Sequence, residues 1–170
     1  GNADGAWNPN SNGPVLSIAT DGSDIYAGGA FSNIGGLLRN NIAKLNSTTG
    51  DADAGWDANS NSFVYSIAIS GTDVYAGGNF NVIGFQTRSK IAKLNSTNGF
   101  ADLTWNANVN NTGYVLAITV SGSDVYVGGS FTLIGTLPRD NIARLNNTTG
   151  MADVSWYPNA NAGVFSVTVS

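Results

Sequence analysis

YVGGSFTLIG, residues 126–135, sets two adjacent glycines inside a run that otherwise reads as a β-strand. Glycine loses the most backbone freedom on ordering and offers no side chain to pack, so the pair is locally unfavourable in a strand. The chain nonetheless repeats it, as YAGGAFSNIG from Tyr26 and YAGGNFNVIG from Tyr75. A locally poor choice made three times points to a demand from elsewhere in the fold.

Laid on itself, the whole chain repeats. Trp7, Trp56, Trp105 and Trp156 recur at intervals of 49, 49 and 51 residues. Val15, Val64, Val115 and Val164 head one segment, and each Gly-Gly tyrosine follows eleven residues after the first three valines. From that tyrosine onward the repeats align without a gap through Phe31, Phe80 and Phe131, then Arg39, Arg88 and Arg139, then Leu45, Leu94 and Leu145. The one change of length lies between Trp105 and Val115, which marks a loop that tolerates insertion.

Within a repeat the apolar period is two. VLSIAT (15–20), DIYAGGAF (24–31) and NIAKLN (41–46) are short, β-branched or aromatic, and bounded by Gly, Asn, Asp and Ser. A weaker fourth strand is expected around each Trp. Four strands in about fifty residues match the blade of a β-propeller. The expected fold is therefore all-β, with four-stranded antiparallel blades A to D: residues 1–12 as the outer strand of a preceding blade, 13–61, 62–110 and 111–161 as three whole blades, and 162–170 as the first strand of a following one. In such a stack the glycine pairs leave room for bulky side chains of the adjoining blade, with the Trp or the Phe of the repeat expected over them.

Composition narrows the functions. There is no Cys, His or Glu; all eleven acids are Asp, and 22 Gly with 23 Asn supply turn chemistry. A net charge of −4 without a basic cluster argues against nucleic acid. No apolar run approaches the roughly 18 residues that span a bilayer, and no signal peptide is visible. The opening residues already match the middle of a repeat, which fits an internal or mature piece. The balance suits an extracellular or cell-surface chain.

YVGGSFTLIG followed by RDNIARLNNTTGMADVSW resembles a bacterial β-propeller repeat of unassigned function, the delta-sixty repeat, whose pattern runs VGGxFT, then NIARLN, then a TG or DG turn and an acidic-plus-aromatic ending. The resemblance covers nearly the whole chain and implies a propeller of secreted or surface proteins, without an assigned chemistry. Trp56, Trp105 and Trp156 stand where that family more often has Phe. The ending from Thr49 and Gly50 to Trp56 also looks like the tryptophan-docking motif of quinoprotein dehydrogenase propellers, at a longer spacing. Those enzymes bring metal-binding carboxylates and often a vicinal disulfide to their cofactor. This chain has neither Glu nor Cys, so no cofactor is expected.

Without His or Cys there is no Ser-His-Asp triad, no cysteine nucleophile and no ordinary zinc site. Paired aspartates could hydrolyse a glycoside, but Asp24, Asp73 and Asp124 recur in register, as do Asp4, Asp53, Asp102 and Asp153. An active site breaks symmetry, whereas a structural hydrogen bond repeats. The first series is read as A–B turn residues and the second as caps of the C–D hairpin. Asp51, Asp53 and Asp57 suggest a calcium loop only in one repeat, since Asn2, Phe100 or Met151 replaces Asp51 elsewhere. No catalytic residue and no metal site is expected.

Strand alternation places the D–A and B–C connections on one face. That face would carry Arg39, Arg88 and Arg139 and an Asn-x-Asn series: Asn10 and Asn12, Asn59 and Asn61, Asn108 and Asn110, Asn159 and Asn161. These read either as Asx-turns or as a polar surface for glycan. The opposite face would carry N-x-[ST] sequons at Asn46, Asn95, Asn146 and Asn147, with another at Asn110 on the first face; they are glycosylation candidates. The function expected is a structural or adhesive repeat module, with one weak glycan site per blade as the alternative. Three blades are too few to close a ring, and the leading D and trailing A cannot together make a fourth. Head-to-tail association with neighbouring copies or further blades follows as an expectation.

Overall fold

The computed structural model describes residues 5, 7–110 and 112–169. Asn2 and Asp4 lie outside the described residues. Among the described residues there is no helix, and every strand pairing is antiparallel. Blade 1 contains β1 (Val15–Thr20), β2 (Asp24–Gly29), the short hairpin β3 (Asn33–Ile34) and β4 (Leu37–Leu38), and β5 (Ile42–Asn46). Blade 2 repeats this with β6 (Val64–Ser70), β7 (Asp73–Gly78), β8 (Val82–Ile83), β9 (Gln86–Thr87) and β10 (Ile91–Asn95). Blade 3 has β11 (Tyr114–Ser121), β12 (Asp124–Ser130), β13 (Leu133–Ile134), β14 (Leu137–Pro138) and β15 (Ile142–Asn146). In each blade the long strands lie in the order A-B-C: β1-β2-β5, β6-β7-β10 and β11-β12-β15. Each is one blade of a β-propeller.

The fourth strand is reduced to a single bridge, Leu45 with Ala52, Leu94 with Ala101 and Leu145 with Ala152. The Asp that follows ends it. Asp53 accepts from Gly55 N at 2.8 Å, and the turn so formed carries the chain to Trp56. The expected strand around each Trp is therefore corrected: the tryptophan lies past the turn. The second Asp series likewise shapes this turn rather than the C–D hairpin, as Asp102 does for Thr104 and Asp153 for Ser155.

The two glycines of each pair serve different neighbours. A Cβ on Gly28 would stand 2.7 Å from Val64 Cγ1 and 3.0 Å from Ile67 Cδ1, so this glycine admits the A strand of the next blade. Gly77 meets Val115 and Ile118 in the same way, and Gly128 meets Val164 and Val167. The second glycine faces its own A strand, where Leu16, Tyr65 or Leu116 is the extra residue of a β-bulge. The bulge pushes the carbonyl of Pro14 into the space a Cβ of Gly29 would fill; Phe63 and Gly78 repeat this. Valine and isoleucine of the next blade, not Trp, thus lie over the first glycine, because the A strands are what the blades press together.

A hydroxyl reinforces that contact. Ser17 Oγ accepts from Ile67 N at 2.9 Å, and Ser66 Oγ from Ile118 N at 2.9 Å. Blade 3 has Ala117 at this position. Residues 163–169 have no strand partner among the described residues, yet Val164 N donates to Gly129 O and its side chain covers Gly128. The segment occupies the place of a following A strand.

Candidate functional site

The loop face that carries the Asn-x-Asn series is knitted together by it. Asn12 Oδ1 accepts from Ser32 N and Asn33 N at 3.0 Å each, binding the D–A loop to the B–C loop. Asn61 does the same for Asn81 and Val82, and Asn110 for Thr132 and Leu133. In three of the four pairs the first Asn turns the chain: Asn10, Asn59 and Asn159 have φ of 48°, 41° and 55°, a left-handed backbone that Asn tolerates. Asn59 Oδ1 accepts from Asn40 Nδ2, and Asn108 Oδ1 from Ser89 N, both at 2.8 Å. Asn161 is exposed.

Arg39, Arg88 and Arg139 are buried. Arg39 donates from Nη1 to Leu38 O and from Nη2 to Asp53 O, both at 2.8 Å, which ties the small hairpin to the turn before Trp56. Arg88 and Arg139 repeat this on Asp102 O and Asp153 O. These guanidinium groups hold backbone carbonyls; they are not presented to solvent.

On the opposite face the three aligned sequons form the C–D turns. Asn46 Oδ1 accepts from Thr48 N and Thr49 N, and Asn95 and Asn146 act alike. All three are exposed, whereas Asn147 and Asn110 are half-buried. Against these turns dock the tryptophans of the preceding repeat. Trp56 Nε1 donates to Asn95 O at 3.0 Å and Trp105 Nε1 to Asn146 O at 3.1 Å, while Trp7 reaches Asn46 O at 3.3 Å. Trp56 stands edge-on to Tyr26 and Trp105 to Tyr75, with centroids 5.6 Å apart. At the third turn the glycine lets Trp105 approach, since a Cβ on Gly150 would come within 3.3 Å of the Trp105 ring.

Lysines and an arginine that the sequence reading passed over complete this junction. Lys44 Nζ lies 3.1 Å from Asp24 and 3.5 Å from Asp53, and donates to Ser96 O of the next blade. Lys93 sits between Asp73 and Asp102 and donates to Asn147 O; Arg144 sits between Asp124 and Asp153. The signal was present, because each basic residue recurs two positions after the Ile of the third strand. Burial, with the nearby aspartates, pushes the Tyr26 and Tyr75 hydroxyls well above the ordinary tyrosine range. The Ser155 hydroxyl and amide, then Arg144, draw Asp153 down to about 2. Paired in this way, the Asp153 carboxyl is held in its ionised form. Among the described residues no three His, Cys, Asp or Glu side chains gather as metal ligands.

Two clefts lie beside the C–D turns, one of about 200 Å³ at Asp73, Lys93 and Asp102 and one of about 380 Å³ at Asp24, Asp51 and Asp53. A third, of about 340 Å³, opens on the Asn face between Asn12, Ser32, Asn41 and Phe63. Among the described residues no helix is long and apolar enough to cross a membrane.

The sequence profile of a family described as "Domain of unknown function (DUF5122) beta-propeller" matches residues 21–55, 74–104 and 124–155, together more than half of the chain. No curated protein matches the sequence. Among solved structures, the computationally designed Ika4 protein is similar over 95% of this chain and 82% of its own, at 12% identity and a TM-score of 0.67. The computationally designed Ika8 protein is similar over 92% of this chain and 40% of its own, at 13% identity and a TM-score of 0.62. BamB from Moraxella catarrhalis aligns over 86% of this chain and 63% of its own, at 15% identity and a TM-score of 0.38.

Proposed function

The chain belongs to the DUF5122 β-propeller family, and from that premise we propose that it is a non-enzymatic structural or adhesive repeat module of a secreted or cell-surface protein. The delta-sixty-like pattern VGGSFT…NIARLN supports the surface setting. The module works by stacking: each blade offers an A-strand face that the first glycine of the preceding blade's pair is shaped to receive, and the Trp-bearing turn of that blade docks beside it.

One observation carries the reading. In blades 2 and 3 the A-strand residues Val64, Ile67, Val115 and Ile118 are buried beneath the preceding blade, whereas their blade 1 counterparts Val15 and Ile18 are 38% and 62% exposed. The occupant of the equivalent face is thus visible twice in the same molecule. It is a further blade of this repeat, in the same polypeptide or in a second copy docked head-to-tail, which grows a ring or a fibre according to the rotation. The groups a glycan would need, the arginines and the second Asn of three repeats, are engaged within the loops, so the glycan reading is not favoured.

Sedimentation of this chain across a concentration series tests the proposal. Self-association is expected, and Ile18→Asp abolishes it while leaving the circular dichroism spectrum unchanged. A wild-type chain that stays monomeric at every concentration would sink the assembly.

A further inference from the structure

The pocket between blades 1 and 2 has a counterpart one repeat on, and there the protein fills it with its own side chain. Position 41 of the first repeat is Asn, position 141 of the third is Asn, and the aligned residue of the second is Lys90. All three have left-handed backbone, with φ of 63°, 64° and 68°. Asn41 Nδ2 donates to Ser60 O and Asn141 Nδ2 to Ala160 O. In blade 2 Ser89 Oγ takes over that duty at Val109 O, and Lys90 is released to reach the B–C loop. Its ammonium donates to Asn79 O at 3.2 Å and to Asn81 Oδ1 at 3.1 Å.

Lys90 is buried, at 4% exposure, and among the described residues no carboxylate pairs with it. Burial accordingly lowers its pKa. A primary ammonium held only by neutral oxygens, at a place where the aligned residue is otherwise Asn, shows what this loop geometry accommodates. The blade 1 pocket is lined by the counterparts of the groups around Lys90: Ala30 for Asn79, Ser32 for Asn81 and Asn41 for Lys90 itself. The Ala30 carbonyl oxygen packs against Gly13, in the space a Cβ there would fill, and among the described residues it accepts no hydrogen bond. The ring of Phe63, 46% exposed, forms the remaining wall, where an aromatic face attracts a cation.

We propose that the blade 1 pocket binds a primary alkylammonium group, its nitrogen at the Ala30 carbonyl and the Ser32 hydroxyl and its aliphatic chain along Phe63, in the place that Lys90 fills in blade 2. The group can belong to a free amine or to a lysine side chain. The site differs from the blade-stacking faces, so its presence does not depend on assembly.

Amide chemical shifts of the whole chain, titrated with n-butylammonium and with Nα-acetyl-lysine N-methylamide, test it against n-butanol as the uncharged control. Both amines are expected to shift Asn12, Ala30, Ser32 and Asn41 saturably, with n-butanol at least tenfold weaker. Binding of n-butylammonium alone would assign the site to free amines, and equal binding of both would assign it to lysine side chains as well. Asn41→Lys, which installs the blade 2 residue, is expected to abolish these shifts. Lys90→Asn is expected to open the second pocket, adding saturable shifts at Asn79 and Asn81. Shifts of equal size with n-butanol, or unaltered in folded Asn41→Lys, would overturn the proposal. Should that variant fail to fold, Lys90→Asn decides alone: no new shifts at Asn79 and Asn81 would overturn it equally.

Discussion

Strands β1 and β6 are nearly the same sequence, VLSIAT and VYSIAIS, placed in opposite surroundings. In β6 Val64 and Ile67 lie under blade 1; in β1 their counterparts Val15 and Ile18 meet solvent. Their local conformation is the same down to the bulge after the valine. The apolar pattern of a propeller strand is therefore addressed to its neighbour as much as to its own sheet, and each interface joins two different halves of the repeat.

The tryptophans give the sharpest test of that view. Trp105 is fully buried between Tyr75 and the blade 3 turn, while Trp7 is only half-buried on blade 1. Trp105→Ala should lower stability in urea unfolding by about 3–5 kcal/mol. Trp7→Ala should lower it by less than half as much, and equal losses would break the comparison.

Next come the glycines. Gly77→Ala pushes a methyl into Val115 and Ile118 of the next blade and should destabilise by about 1–3 kcal/mol through overpacking. Gly22→Ala, at an exposed turn with nothing near its Cβ, should act only through its positive φ. Differential scanning calorimetry would order the two, and a larger loss at Gly22 would contradict the spacer role.

A comparable effect belongs to the hydroxyl between A strands. Ser66→Ala orphans the buried Ile118 N–H and should lower the urea midpoint by an amount equivalent to about 1–3 kcal/mol. Ala117→Ser should recover a fraction of a kcal/mol by reaching Val167 N, with slower amide exchange at Val167 as its signature.

The smallest effect is the pH dependence. The carboxyl of Asp153, at about 2 when folded against an ordinary 3.8, contributes stability that is present above pH 3.8 and lost as the pH falls towards 2. Asp153→Asn should flatten the wild-type loss of stability within that window, as read by thermal melts between pH 2 and 5. An unchanged pH profile would remove Asp153 from the junction.

Much of this was legible because repeats average out local noise. The limits of β1, Val15–Thr20, match the alternation of VLSIAT, since period-two burial and bounding turn residues are local properties. The two-residue hairpins were not legible: Asn33–Ile34 and Leu37–Leu38 are too short for a period, and only the positive φ at Gly35 and Gly36 marks the turn. The arginines misled for a different reason. A guanidinium in a loop reads as exposed, yet Arg39 closes over the hairpin to reach a carbonyl fourteen residues ahead.

Sequence alone determined the repeat, the strand chemistry and the blade, because each depends on neighbours a few residues apart or on the copying of one unit. Tertiary structure decided what each repeated residue faces. Gly28 opens to a strand of the next repeat, Trp56 to a turn nearly forty residues on, and Lys90 to a loop that its aligned asparagines leave empty. Those contacts cross between blades, where distance along the chain no longer tells distance in space.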